Sequence, residues 1–261
     1  MKGVKGRLPN NSIEVMSSIS NKVAKAIYIE NYGCSANKFD LEIMLAALIN
    51  AGYSVVDDKK SADTILINTC GVKKPTEDRM LERLRTLSLL NKPLIVAGCL
   101  PKIDLEAIRK SASFFSAALD PYSVDRILEA VRAAENGERG KLFFSEKPRI
   151  KLSQPTVRLN KIIEIIQIAE GCTGECAFCC VRFARGRLFS YPKELIVDKI
   201  SKVVLEGIRE IWITSQDNGA YGLDIGTDLA ELLDECCRIK GDFSIRIGMM
   251  NPNNVLEIAD R

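Results

Sequence analysis

The sequence predicts an α/β chain, with an N-terminal parallel-sheet α/β domain followed by a second run of βα units. Short apolar runs suited to buried parallel strands alternate with helical stretches along most of the chain. The alternation is interrupted once, between Lys141 and Asn160, by a basic segment containing Pro148 and Pro155. With 261 residues, 46% of them apolar, there is enough chain for two ordinary domains with a substantial core.

Ala24–Glu30 (AKAIYIE) reads as the first strand, and Asp40–Ala51 (DLEIMLAALINA) as a helix stopped by Gly52. Thr64–Asn68 (TILIN) and Pro93–Ala97 (PLIVA) read as buried strands, separated by a charged helix over Glu77–Leu90. A helix near Val124–Ala134 and a surface loop at Glu135–Gly140 complete the first unit. Beyond the linker come a strand at Ile162–Ile168, a helix at Pro192–Leu205, a strand at Glu210–Thr214, a helix at Asp228–Ile239 and a strand at Phe243–Gly248. The expected division is a polar basic tail over residues 1–22, a first domain over 23–140, a linker over 141–160 and a second domain over 161–261. No solenoid repeat or low-complexity segment is present.

The tail carries Lys2, Lys5, Arg7 and Lys22 against Glu14, which accounts for the whole net charge of +3. The rest of the chain is neutral, so charge alone does not announce nucleic acid. No apolar run is long enough to span a membrane, and the first twenty residues lack the apolar stretch of a secretory signal, so the expected location is the cytoplasm. There is no histidine. Its absence removes Cys/His zinc patterns, Ser-His and Cys-His nucleophile pairs and the commonest general base, leaving thiolates and cofactors to carry any chemistry. Nine cysteines in a reducing compartment point to metal binding or catalysis rather than disulfides.

Gly171–Arg187 reads GCTGECAFCCVRFARGR and places Cys172, Cys176 and Cys179 at C-x3-C-x2-C just after a predicted strand. Three thiolates on one loop can each bind one iron of a cubane and leave the fourth iron open, whereas a ferredoxin supplies a fourth thiolate. This is the pattern of radical S-adenosylmethionine (SAM) enzymes, in which SAM is the ligand of the open iron. Phe178, before the last thiol, matches the aromatic position that lies near the adenine. The alternative is a zinc site or incidental buried thiols, but zinc normally wants four protein ligands, and Cys180 is awkwardly adjacent to Cys179. Cys180, Cys236 and Cys237 read as packing residues.

Cys34, Cys70 and Cys99 each follow a predicted strand beside a glycine, namely Gly33, Gly71 and Gly98. In a parallel sheet the C-terminal strand ends share one edge, so three distant thiols can meet there. Three unrelated buried thiols are the alternative; the shared placement favours a second metal site.

On YGCSANKFD, NTCGVKKPTEDRM, AGCLPK, GCTGECAFC, FARGRLFSYP and SQDNGAYG, the chain resembles the radical SAM tRNA methylthiotransferases. It is most similar to the archaeal and eukaryotic branch that acts on threonylcarbamoyladenosine. The resemblance implies that residues 23–140 are the methylthiotransferase domain and that 161–261 are part of the radical SAM domain, the first half of a partial β/α barrel. It makes Cys34, Cys70 and Cys99 ligands of an auxiliary 4Fe–4S cluster that handles sulfur, and Cys172, Cys176 and Cys179 ligands of the 4Fe–4S cluster that binds SAM. It implies conversion of the nucleoside beside the anticodon to its 2-methylthio derivative. The implied partners are a tRNA substrate, a sulfur donor and an electron donor such as flavodoxin or ferredoxin.

Ser215, Gln216 and Asp217 correspond to the lining of the SAM pocket, though polar residues at a strand end are also ordinary turn formers. Arg182, Arg185 and Arg187 are candidates for RNA phosphate or the SAM carboxylate, or for a solvated loop face. Family members continue through the rest of the barrel to a TRAM domain, so a C-terminally truncated chain is expected. Competing functions are a sister branch acting on isopentenyl-adenosine tRNA or a ribosomal protein, and a non-enzymatic iron–sulfur or zinc module.

Overall fold

The computed structural model of the protein describes residues 25–71 and 74–260. The basic tail expected over residues 1–22 lies outside the described residues. The first sheet holds β1 (Ala26–Asn31), β2 (Ser54–Val56), β3 (Thr64–Thr69), β4 (Leu94–Gly98), β5 (Ala117–Leu119) and β6 (Lys141–Phe143), in the order β2-β1-β3-β4-β5-β6. Every neighbouring pair is parallel. The register aligns Asn31 with Asn68 and Thr69 with Gly98, which brings the C-terminal ends of β1, β3 and β4 together on one edge. Lys141–Phe143, expected in the linker, instead pairs with Ala117–Leu119 as the edge strand, so the first sheet extends past residue 140.

The faces of this sheet follow the twofold alternation of strand side chains. Leu66, Ile95 and Ala97 point into one core, while Ile65, Ile67, Leu94 and Val96 point into the other. The second core is closed by α2 (Lys74–Ser88), α3 (Leu100–Ile103) and α4 (Leu105–Ser111), through Met80, Leu84, Leu100 and Ile108. The first is covered by α1 (Ser35–Asn50) and α5 (Ile127–Glu135). The α1 helix starts earlier than Asp40, where it was expected, and Cys34 occupies its N-cap position.

A second parallel sheet, ordered β11-β10-β7, is made of β7 (Ile163–Gln167), β10 (Glu210–Thr214) and β11 (Ser244–Ile247). Packed with it are α7 (Lys193–Leu205) and α8 (Leu229–Cys237), whose N-cap Asp228 accepts from the Glu231 N–H at 2.9 Å. A short α9 (Pro252–Leu256) follows. The α1 helix touches β1, β2 and β3 of the first sheet and β7 and β10 of the second, so one apolar core runs through both. A helix gripped on both sides is buried all round. Asn37, Asp40 and Glu42 are consequently buried on α1 along with its aliphatic residues.

Beside this second sheet, β8 (Ala169–Glu170) and β9 (Phe189–Ser190) pair antiparallel and close the base of an eighteen-residue excursion that holds the C-x3-C-x2-C segment and α6 (Val181–Arg185). Among the described residues, no helix is long and apolar enough to cross a membrane.

Candidate metal centre

Cys34, Cys70 and Cys99 stand immediately beyond β1, β3 and β4, three strands that are neighbours in the sheet. Asn37, in the first turn of α1, ties two of the thiols together: its Oδ1 accepts from Cys34 Sγ at 3.6 Å and from Cys99 Sγ at 3.7 Å. Its Nδ2 donates to the Thr69 carbonyl at 2.8 Å, just before Cys70. Gly98 is required here. Its φ of +96° is left-handed, and a Cβ would stand 2.2 Å from the Thr69 carbonyl oxygen and 2.7 Å from Asn68 Oδ1. That Asn68 oxygen is buried without a hydrogen-bond partner. Burial pushes the Cys99 thiol up to about 12, against the pull of Arg185 beside it.

The second triad lies on the excursion. Its neck is held by the Cys172 N–H to Gly186 carbonyl bond at 3.3 Å and by Gly171, whose φ is +74° and whose Cβ would stand 2.0 Å from the Arg187 carbonyl oxygen. Cys172 is half-buried, while Cys176 and Cys179 are exposed. The Gly174 N–H donates to Cys172 Sγ at 3.2 Å and works against burial, which raises that thiol. Beside them is a cleft of about 270 Å³ lined by Cys172, Gly174, Arg182, Arg187, Leu223 and Asp224.

Two contacts join the triads. Cys180, half-buried rather than simply packed away, donates its thiol to the Gly71 carbonyl, next to Cys70. Arg185 is the second link and departs from both sequence expectations, since it faces neither solvent nor an open cleft. It is 1% exposed. Its Nη1 donates to Glu170 at 3.0 Å, and its Nη2 donates to Asp40 at 2.6 Å and to Asn37 Oδ1 at 3.2 Å. Lys151 completes the set, bonding Asp40 at 2.6 Å and also Glu170. Two cations and two carboxylates, all buried, thus come from α1, the connecting segment, β8 and α6. Burial alone would raise Glu170, but Lys151 and Arg185 hold it below the usual carboxylate range. Burial likewise opposes the charge on Arg185, and Asp40 and Glu170 keep it protonated.

Among the described residues, no group of three or more Cys, Asp or Glu converges as ligands of a single metal ion would. Cubane thiolates each take a different iron and need no such convergence.

The model of the uncharacterized protein family UPF0004 matches residues 26–119, which contain the first triad. A Pyrococcus abyssi protein named "probable threonylcarbamoyladenosine tRNA methylthiotransferase" is 43% identical over 238 residues, covering 90% of this chain and 55% of its own. A Methanothermobacter thermautotrophicus protein of the same name is 44% identical over 241 residues, with the same coverage of 90% and 55%. The threonylcarbamoyladenosine tRNA methylthiotransferase of Danio rerio is 37% identical over 240 residues, covering 88% of this chain and 43% of its own. Over most of its length the chain is similar to proteins named threonylcarbamoyladenosine tRNA methylthiotransferase. It spans about half the length of the curated relatives it matches. In fold, the chain is similar to a radical SAM methyltransferase from Kitasatospora setae solved with cobalamin and a 4Fe–4S cluster. The TM-score is 0.52 at 14% identity, over 82% of this chain and 52% of that one.

The remaining expected site residues divide by role. Phe178 is exposed beside Cys179. Gln216 Oε1 accepts from the Gly171 N–H at 2.6 Å and braces the neck of the cysteine loop. Ser215 is buried and donates to Asn218 Oδ1 at 3.0 Å. Asp217 accepts from the N–H groups of Gly219 and Asn251 and from Asn254 Nδ2, at 3.1, 2.9 and 2.7 Å. Arg182 pairs with Glu175 at 3.1 Å, and Arg187 lines the cleft. Asn37, Asp40, Lys151 and Glu170 were not singled out from sequence. The available signal was polar residues on the otherwise apolar α1, within the YGCSANKFD motif.

Proposed function

We propose that the protein is a radical SAM methylthiotransferase that converts N6-threonylcarbamoyladenosine next to the tRNA anticodon to its 2-methylthio derivative. The observation that carries this is the approach of two cysteine triads, one on a sheet edge and one on the loop docked against it through Cys180 and Arg185. Cys172, Cys176 and Cys179 would hold the SAM-binding 4Fe–4S cluster, and Cys34, Cys70 and Cys99 the auxiliary one. The donor sets fit: each is three thiols without a fourth, which leaves an iron of each cubane open to another ligand. Bound there, the clusters would supply the electron that cleaves SAM and the iron that handles sulfur.

The protein's own residues prepare those sites. The Gly174 N–H stabilises negative charge on Cys172 sulfur, and Arg185 does so at Cys99. Gln216 and the glycine neck fix where the loop leaves the sheet, and Phe178 offers an apolar face for the adenine. Arg182 and Arg187 on the cleft wall suit a carboxylate or phosphate. The SAM-pocket role of Ser215, Gln216 and Asp217 is one of shaping, since their side chains are engaged with the protein. The partners of this function are tRNA, a sulfur donor and a reductant such as flavodoxin or ferredoxin, in the cytoplasm.

Anaerobic reconstitution with iron and sulfide tests this. About eight irons per chain are expected, falling to about four, with 5′-deoxyadenosine formation abolished, in a Cys172/Cys176/Cys179→Ala variant. Methylthio product should form on tRNA bearing the threonylcarbamoyl group and not on tRNA lacking it. Iron that never exceeds one cubane and disappears in the triple variant overturns the two-cluster assignment; product on the unmodified tRNA overturns the substrate.

A further inference from the structure

Arg185 follows the second triad by six residues, yet its guanidinium lies at the first. The two carboxylates, Asp40 and Glu170, already balance Arg185 and Lys151, so neutralising charge does not require a cysteine or an asparagine. Nevertheless Nη2 also donates to Asn37 Oδ1, the one oxygen that both Cys34 and Cys99 point at. Only a forked, planar cation can serve Glu170 on one nitrogen and Asp40 with Asn37 on another; an ammonium on a lysine stem has no such fixed fork.

Taking Cys34, Cys70 and Cys99 as the auxiliary ligands proposed above, we infer that Arg185 is the positioning residue of that site. Its guanidinium fixes Asn37 against Cys34 and Cys99 and makes a cluster bound there easier to reduce. Hydrogen bonds and charge around the ligating sulfurs are among the main determinants of cluster potential. A permanently charged cation favours the more negative, reduced state. The segment that carries the SAM-type triad therefore sets the electronic state of the other triad, and the two sites are coupled through one side chain.

The test uses the Cys172/Cys176/Cys179→Ala chain, reconstituted so that only the auxiliary cluster remains, with Arg185, Arg185→Lys or Arg185→Gln. Iron content, the electron paramagnetic resonance spectrum and the midpoint potential are read by potentiometric titration. Arg185→Gln is expected to make reduction roughly tenfold less favourable, about 59 mV more negative for a one-electron couple. Arg185→Lys, which keeps the charge and loses the fork, should shift the potential less but still alter the spectrum. If Arg185→Gln does not fold, the spectrum and potential of Arg185→Lys decide. Four irons with an unchanged spectrum and potential in the folded variants overturn the inference, leaving Arg185 a docking ion only. No iron in the parent triple variant instead removes the auxiliary-cluster assignment itself, a result distinct from the former.

Discussion

Glu42 offers a quantitative test of how α1 is held between the two sheets. Its carboxylate is 2% exposed and accepts the Leu159 N–H at 2.9 Å, while the Glu42 carbonyl accepts from Val157 N–H at 3.0 Å, so the connecting segment is latched to the helix here. Burial pushes its pKa up from 4.5 to about 7, with Glu164 adding to the rise and the Leu159 N–H, Arg158 and Lys199 opposing it. The folded state therefore binds a proton more tightly than the unfolded state does. This contribution to stability is fully present below about pH 4.5 and is lost as pH rises through about 7. At 1.36 kcal/mol per pKa unit, the loss is roughly 3 kcal/mol over the window, most of it between about pH 5 and about pH 8. Glu42→Gln keeps an oxygen for the Leu159 N–H and cannot ionise. Denaturant unfolding of the reduced, metal-free chain should show the variant close to wild type at about pH 5 and more stable by roughly 2–3 kcal/mol at about pH 8. A difference between the two proteins that does not change with pH would refute the assignment of a proton to buried Glu42.

Other consequences are open to direct measurement. Asp40→Asn leaves Lys151 and Arg185 sharing a single carboxylate in a dry interior and should cost about 3–5 kcal/mol, read as a lowered thermal midpoint. An unchanged melt would mean that water reaches the ions. Gly171→Ala drives a Cβ into backbone at a left-handed φ, so the second triad should lose its iron while the first keeps about four atoms; full iron retention would contradict the neck geometry. In the metal-free native chain, alkylation should label exposed Cys176, Cys179 and Cys237 before buried Cys70, Cys99 and Cys236, with mass spectrometry of timed samples giving the order. Equal rates would contradict the burial of Cys70 and Cys99.

The long buried strands were legible because β3 and β4 are almost continuous apolar runs, as strands covered on both faces must be. The three-residue strands β2, β5 and β6 are too short to show a period, and β6 was consequently assigned to the linker. The first turn of α1 was missed for a different reason. Gly-Cys-Ser-Ala-Asn reads as loop chemistry, and only the fold shows that Asn37 is buried to serve two thiols. Both triads were visible as spacing and as cysteines after strands. That β1, β3 and β4 are neighbours comes from the sheet order, which no local pattern encodes.

The ion quartet was not legible at all, since Arg185 and Asp40 lie 145 positions apart. Its role follows from what buried ions do poorly and what they do well. Replacing such a set with well-packed apolar residues is often neutral or stabilising, so net stability is a weak reason for its presence. Apolar surfaces can slide past one another at small cost, whereas a guanidinium with separate partners on its two terminal nitrogens has one low-energy placement. Asp40 is six residues beyond Cys34 on the helix that Cys34 caps, Glu170 is two residues before Cys172, and Arg185 is six residues beyond Cys179. Every member except Lys151 is thus rigidly tied to a cysteine triad. The apolar core holds the two sheets together, and the quartet fixes the position of one triad relative to the other.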